Sequence, residues 1–175
     1  MSKIVRNLKR VIKVQPTMTA DDNDIDDVAF DWIEIPHMSN ENGMATTLQS
    51  VMILDADDSL ATMELVFCRG AGDSATAPTS AQGLVGGATA GSAAVDITAV
   101  EAQAINICGS VLVSTAGATE QGDLILANIL TATAIGFVLA PAKDSRSMYM
   151  GGFWRTEPTA TGGTGTLDVY LGFED

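Results

Sequence analysis

The sequence predicts a mostly β protein: an antiparallel β-sandwich or barrel, jelly-roll-like, with one short helix and an N-terminal arm. Three observations carry that expectation. About nine short runs of strand character recur along the chain, each bounded by turn residues. The last, "GTLDVYLGFED", alternates cleanly, with Leu167, Val169, Leu171 and Phe173 on one side and Asp168, Tyr170 and Glu174 on the other. Hydrophobic residues make up 46% of 175 residues, enough to bury a real core in one domain.

The elements follow in order. "MSKIVRNLKRVIKV" is basic: Lys3, Arg6, Lys9, Arg10 and Lys13 are five of the nine Lys and Arg residues. Ile4, Val5, Leu8, Val11 and Ile12 have the spacing of a helical stripe, and Ser2 can cap its start. The competing reading begins the first strand at Arg10 and leaves a flexible arm before it. Residues 1–13 are therefore a basic arm or amphipathic helix, and 14–175 a single β domain. "VIKVQPTMT" leads into the acidic turn "ADDNDIDD". "VAFDWIEI" alternates, with Val28, Phe30 and Trp32 on one side and Asp31 and Ile33 on the other. "NENGM" holds Asn42-Gly43, the usual hairpin dipeptide.

"LQSVMILDA" has a continuous apolar centre, as a strand covered on both faces would. After the turn "DADDS", "TMELVFCRG" points Met63, Leu65 and Phe67 inward and Glu64 outward. Residues 71–94 are Gly, Ala, Ser and Thr-rich and read as a long excursion loop. "DITAVEAQAIN" is the one body helix, because Thr98 and Glu101 form a capping box before helix-favouring alanines. Then come "CGSVLVS", "DLILANIL", "AIGFVLAP", "SMYMGGFWR" and the final strand. With aromatics at 5%, the core is expected to be Val, Ile, Leu, Met and Ala.

Charge excludes some classes of function. The formal net charge is -13, and the first thirteen residues hold no acid, so the remainder sets four cations against 22 acids, a net -18. Such a body repels phosphate backbones, which argues against nucleic acid as a partner. No apolar run approaches the roughly 20 residues of a membrane span, and the basic start has no apolar region or cleavage site of a secretory signal. No membrane partner is expected. Cys68 and Cys108 each sit in an apolar run and read as buried thiols, with a disulfide open to them only if their strands are neighbours.

Catalytic and cofactor patterns are scarce, and the expectation is a non-enzyme without a cofactor. His37 is the only histidine, has no nucleophile elbow to serve, and reads as a loop residue at a turn. "VGGATAG" and "TGGTGT" lack the lysine of a phosphate-binding loop. Asp22, Asp24 and Asp26 echo the start of an EF-hand. Asp27 stands where the glycine should be, however, and no Glu occupies the twelfth position. They are weak candidates for a Ca²⁺ or Mg²⁺ site beside the alternative of a solvated turn; Asp55, Asp57 and Asp58 form a similar cluster. "GGFWRTEP" reads as a strand end whose Trp154 packs in the core or an interface.

Three blocks carry a family resemblance: "LQSVMILDADDSLATMELVFCRG", "VDITAVEAQAINICGSVLVS" and "SMYMGGFWRTEPTATGGTGTLDVYLGFED". Together they resemble a family of virion structural proteins of tailed bacteriophages, over about two thirds of the chain from Leu48 onward. The closing block matches at Ser147, Met148 and Tyr149, at Arg155, Thr156, Pro158 and Thr159, and at Leu171, Gly172, Phe173 and Asp175. The chain departs at Glu157, in its longer Gly/Ala loop and in its basic N-terminal segment.

The resemblance implies a capsid-associated protein, made in the host cytoplasm and located on the capsid surface of the virion. Its expected function is capsid decoration: a cement protein, expected to be a homo-oligomer, a trimer, bound to the major capsid protein lattice. A neck, tail or fibre-base adaptor is the first alternative, and a Ca²⁺-dependent carbohydrate-binding sandwich the second. Lys3, Ile4, Val5, Arg6, Leu8, Lys9 and Arg10 are the expected partner-binding strap, their cations meeting acidic surface on a neighbouring subunit.

Overall fold

The computed structural model describes residues 9–18, 25, 28–55, 61–70, 78, 106–114, 128–157 and 167–175. These contain eight strands: β1 (Lys9–Val14), β2 (Val28–Ile35), β3 (Thr46–Asp55), β4 (Met63–Cys68), β5 (Ile107–Val113), β6 (Asn128–Leu139), β7 (Met148–Trp154) and β8 (Leu167–Glu174). They form two four-stranded sheets, ordered β1-β8-β3-β6 and β2-β7-β4-β5, with every pair antiparallel. β1 pairs with β8, β2 with β7, β3 with β6 and β4 with β5. The chain is thus one long antiparallel hairpin folded over on itself, closed by the β8–β3 and β7–β4 ladders. That is jelly-roll topology, so the sandwich is realised rather than a closed barrel.

The alternation in β8 works as its sequence predicts. Leu167, Val169, Leu171 and Phe173 are buried between the sheets. Asp168 and Tyr170 point outward with Lys13, the register partner of Tyr170 on β1. On β4, Met63, Leu65 and Phe67 face the same core, as expected. The few aromatics are concentrated there, with Trp154, Phe30, Phe67 and Phe173 among the largest fully buried side chains. The core is therefore not built only of aliphatics. Each such ring contributes on the order of 3–5 kcal/mol relative to alanine.

The second sheet also carries buried apolar clusters on its outward face, beside Glu34 and Glu64. β7 is buried at all seven positions, and the outward residues Val28, Val66 and Phe153 form a further buried cluster with Trp32 and Ile107. Cys68 and Tyr149 extend that layer. β4 and β5 are neighbours, yet no disulfide forms: Cys68 lies in the outward layer, while Cys108 packs against the core between the sheets. A register shift between Phe67 and Cys68 leaves Cys108 as an extra residue opposite β4.

Four expectations need correction. β2 does not alternate strictly, because register shifts after Val28 and after Phe30 insert bulges. Ala29, Phe30 and Ile35 turn inward, and Val28 and Trp32 turn outward. "DLILANIL" and "AIGFVLAP" are not two strands; from Asn128 they run on as β6. No turn separates them. Instead Ala134 (φ 57°) and Gly136 (φ 63°) absorb a bulge opposite Gln49. Asn42-Gly43 forms a turn with Gly43 at φ 68°, but it joins strands of different sheets rather than a paired hairpin. Finally, Lys9–Lys13 are strand, not helix, because their backbone pairs with β8 from Lys9↔Glu174 onward. The Thr98–Glu101 helix, the 71–94 loop and residues 1–8 lie outside the described residues.

Candidate interaction surface

The partner-binding expectation divides at Lys9. Lys3, Ile4, Val5, Arg6 and Leu8 lie outside the described residues, as do Asp22, Asp24 and Asp26 of the weak metal candidate. Among the described residues no three His, Cys, Asp or Glu side chains gather as a metal site. Lys9 is exposed at the start of β1, where its register partner is Glu174. Arg10, next in line, turns away from the outward face.

The Arg10 guanidinium closes one end of the sandwich. Nη1 donates to the His37 carbonyl at 3.2 Å and to Asn40 Oδ1 at 3.1 Å. Nη2 donates to the Met38 carbonyl at 2.5 Å and to Asp175 Oδ1 at 2.7 Å. Asn40 Nδ2 donates to the other Asp175 oxygen, so one carboxylate is held by two partners. A fixed fork with several donors suits this array, where a lysine ammonium would not reach all four acceptors.

The loop after β2 offers these carbonyls because it is tied down elsewhere. His37 takes a left-handed conformation (φ 51°), and its amide donates to Ser147 Oγ at 3.3 Å. Ser39 N donates to the Arg146 carbonyl and Gly43 N to the Ser145 carbonyl, at 3.2 and 2.8 Å. The loops before β3 and before β7 are thus stitched together beneath Arg10. His37 is the turn residue the sequence suggests, and its backbone is what the turn uses.

The outward face of the first sheet carries the other β1 cations. Lys13 Nζ lies 2.7 Å from Asp168 Oδ2 and 5.6 Å from the centre of the Tyr170 ring. Gln15 Nε2 donates to Asp168 Oδ1 at 2.7 Å. The hydrogen bond from Lys13 holds the Asp168 carboxyl below its usual range, and the same bond raises Lys13. Beside this lies a groove of about 290 Å³ lined by Lys9, Val11, Gln49, Ser50, Gly172 and Glu174 among others. Ser50 Oγ would sit 2.3 Å from a Cβ at position 172, so only glycine leaves this floor intact.

On the second sheet, Arg155 closes the strand end that the sequence singles out. Its Nε lies 2.6 Å from Glu64 Oε2, its guanidinium 4.5 Å from the Phe153 ring centre, and its amide donates to the Thr62 carbonyl at 2.8 Å. Trp154, its neighbour, is core.

Sequence reasoning missed Asn40, Asp175 and the Met38 carbonyl as partners of Arg10. These lie 28 to 165 positions away in sequence, so no local pattern links them to Arg10. Both Nη groups of Arg10 are engaged within the domain, and its Nε is buried without a hydrogen-bond partner.

No family model matches the chain. No curated protein matches it either. Among solved structures, a chain from Desmodium yellow mottle tymovirus aligns over 97% of this chain and 81% of its own, with 10% identity and a TM-score of 0.27. At that TM-score the likeness carries neither fold nor function.

Proposed function

We propose that the protein is a structural virion protein of a tailed phage, a head decoration protein that cements the major capsid protein lattice from the capsid surface. One observation carries the reading: the described strands have jelly-roll order, an architecture used by viral shells, lectins and cupins. The resemblance of the blocks from Leu48 onward to phage virion proteins then favours the shell among these. A rigid sandwich whose second sheet carries buried apolar clusters on both faces suits a role in which added contact area resists internal pressure. The protein acts as a homo-oligomer, a trimer at local three-fold positions, and residues 1–8 with Lys9 form its strap to a neighbour.

Counting copies per virion by gel densitometry tests this. Copy numbers on the order of hundreds support decoration, whereas about a dozen would move the protein to a neck or tail adaptor. Calcium-dependent glycan binding by purified protein would instead favour the lectin use of the same topology.

A further inference from the structure

Several outward side chains of the second sheet are buried although they point away from the first. Cys68 is 0% exposed, Val66 6% and Tyr149 8%. Leu112 points out of the same face, opposite Glu64 at the β5 edge, and is 55% exposed, as an uncovered apolar residue should be. Arg155 shields the Phe153 ring in part, but Cys68 lies at the other end of β4 and is buried as completely. The indole N–H of Trp32, in the same layer, is enclosed too and has no hydrogen-bond partner. All eight described strands belong to the two sheets, so this burial calls for a third layer. The exposures are those of a single chain, and the cover is therefore the chain's own.

Topology selects the segment. Of the successive strands, only β4 and β5 lie in one sheet; every other connection passes from one sheet to the other. A few residues suffice to join neighbouring antiparallel strands. This connection instead runs from Arg69 to Asn106, and it starts and finishes on the buried layer, to which Cys68 and Ile107 both belong. The Arg69 amide donates to the Asn106 carbonyl at 3.2 Å, pinning the two ends together, and Arg69 Nε donates to the Ala140 carbonyl at 3.0 Å. Pro78, within the connection, is itself buried.

The apolar part of the connection is its last part, residues 95–105, with Val95, Ile97, Val100 and Ile105. Four strands about 4.8 Å apart make a face about 14 Å wide. As the helix its capping box predicts, that part would span about 16 Å, enough to cross the face. Exposed residues mark where the cover does not pass. Leu112 stands at one corner and Glu34 at the corner diagonally opposite, both in solvent. The buried layer follows the other diagonal, from Ile107 to Val28.

We infer that residues 95–105 dock along this diagonal of the second sheet's outward face, over Cys68, Val66 and Phe153, and make it a second core. Other chains then meet the molecule elsewhere. The inference rests on neither the virion role nor the homo-oligomer.

Thiol reactivity of the full chain tests it, in a C108A background that leaves Cys68 as the only cysteine. Cys68 should be protected in that chain at concentrations where sedimentation shows a monomer. I97D/V100D should speed its modification about tenfold or more, with an unchanged far-ultraviolet spectrum. L124D/L126D, in the connection between β5 and β6, should leave the rate unchanged. A photo-crosslinker, p-benzoylphenylalanine in place of Trp32, keeps the question open to decision where an aspartate variant does not fold. It should link within the same chain to peptides from residues 95–105. Freely reactive Cys68 in the C108A chain, an unchanged rate in folded I97D/V100D, or release by L124D/L126D instead would overturn the docking. So would cross-links that fall only on other segments or on a second chain.

Discussion

Arg10 and Asp175 meet at 2.7 Å at the end of the sandwich, with side-chain exposures of 21% and 5%, although 165 positions separate them. Removing the guanidinium leaves a nearly buried carboxylate with Asn40 alone, and takes a donor pair from the His37 and Met38 carbonyls. R10M should therefore cost about 2–4 kcal/mol by urea denaturation, and R10K nearly as much. D175N, which keeps an acceptor for Arg10, should cost less. Equal effects of R10M and of a surface control such as Lys9→Met would show that the pairing does not hold this end.

The same geometry predicts where the N-terminal segment can be cut. Deletion through Arg10 removes the Lys9↔Glu174 and Arg10↔Phe173 pairs along with the guanidinium cluster. It should lower the melting temperature several degrees more than deletion of residues 1–8, by roughly 4 °C per kcal/mol lost for a chain of this size. Differential scanning calorimetry of the two truncations compares them directly. A strap function for residues 1–8 is then tested only in the shorter deletion, where the β1 ladder is intact.

What was legible in the sequence follows from the range of each interaction. The alternation of β8 and β4 is local, since successive side chains point to opposite faces, and it identified Leu167 to Phe173 and Met63 to Phe67 as core. Bulges break that rule silently. Nothing in "VAFDWIEI" says that Ala29 and Phe30 both turn inward, because the partner strand β7 decides the register. In β6 the left-handed Ala134 has no sequence signal, so a single strand looked like two. At the candidate surface, the cationic character of Lys9 and Arg10 was plain, but not that Arg10 is consumed by acceptors from two distant segments.

Gly109 shows how close the two sheets approach at the β5–β6 flank. Its φ of 147° lies in the region that favours glycine, and a Cβ there would be 2.3 Å from the Phe137 ring. G109A should destabilise on the order of 3 kcal/mol, from overpacking plus backbone strain. F137A alone, at a half-buried ring, should cost roughly 2 kcal/mol. In the double variant the clash disappears while the strain remains, so its cost should fall short of additivity by about 1 kcal/mol or more. Additive urea midpoints would mean the ring does not seat on that glycine.

Alkaline pH tests the outward apolar layer of the second sheet. Burial beside Tyr149 pushes the Cys68 thiol up from 9.0 to about 12, against a weaker opposing hydrogen bond from the Gly70 backbone. Below pH 9 the thiol is protonated in both folded and unfolded chains and stability is unaffected. Between pH 9 and 12 the unfolded chain loses that proton while the folded one keeps it, so unfolding is favoured and stability falls as pH rises. Burial raises Cys108 and Tyr149 as well, which adds to the slope in the same direction. C68A should therefore flatten, without abolishing, the decline in urea midpoint across that window. In the native protein near neutral pH, a thiol reagent should modify the half-buried Cys108 first and leave Cys68 unreacted until unfolding. Equal reaction of both thiols would mean that the outward layer is open to solvent, and that the second sheet is covered on one face only.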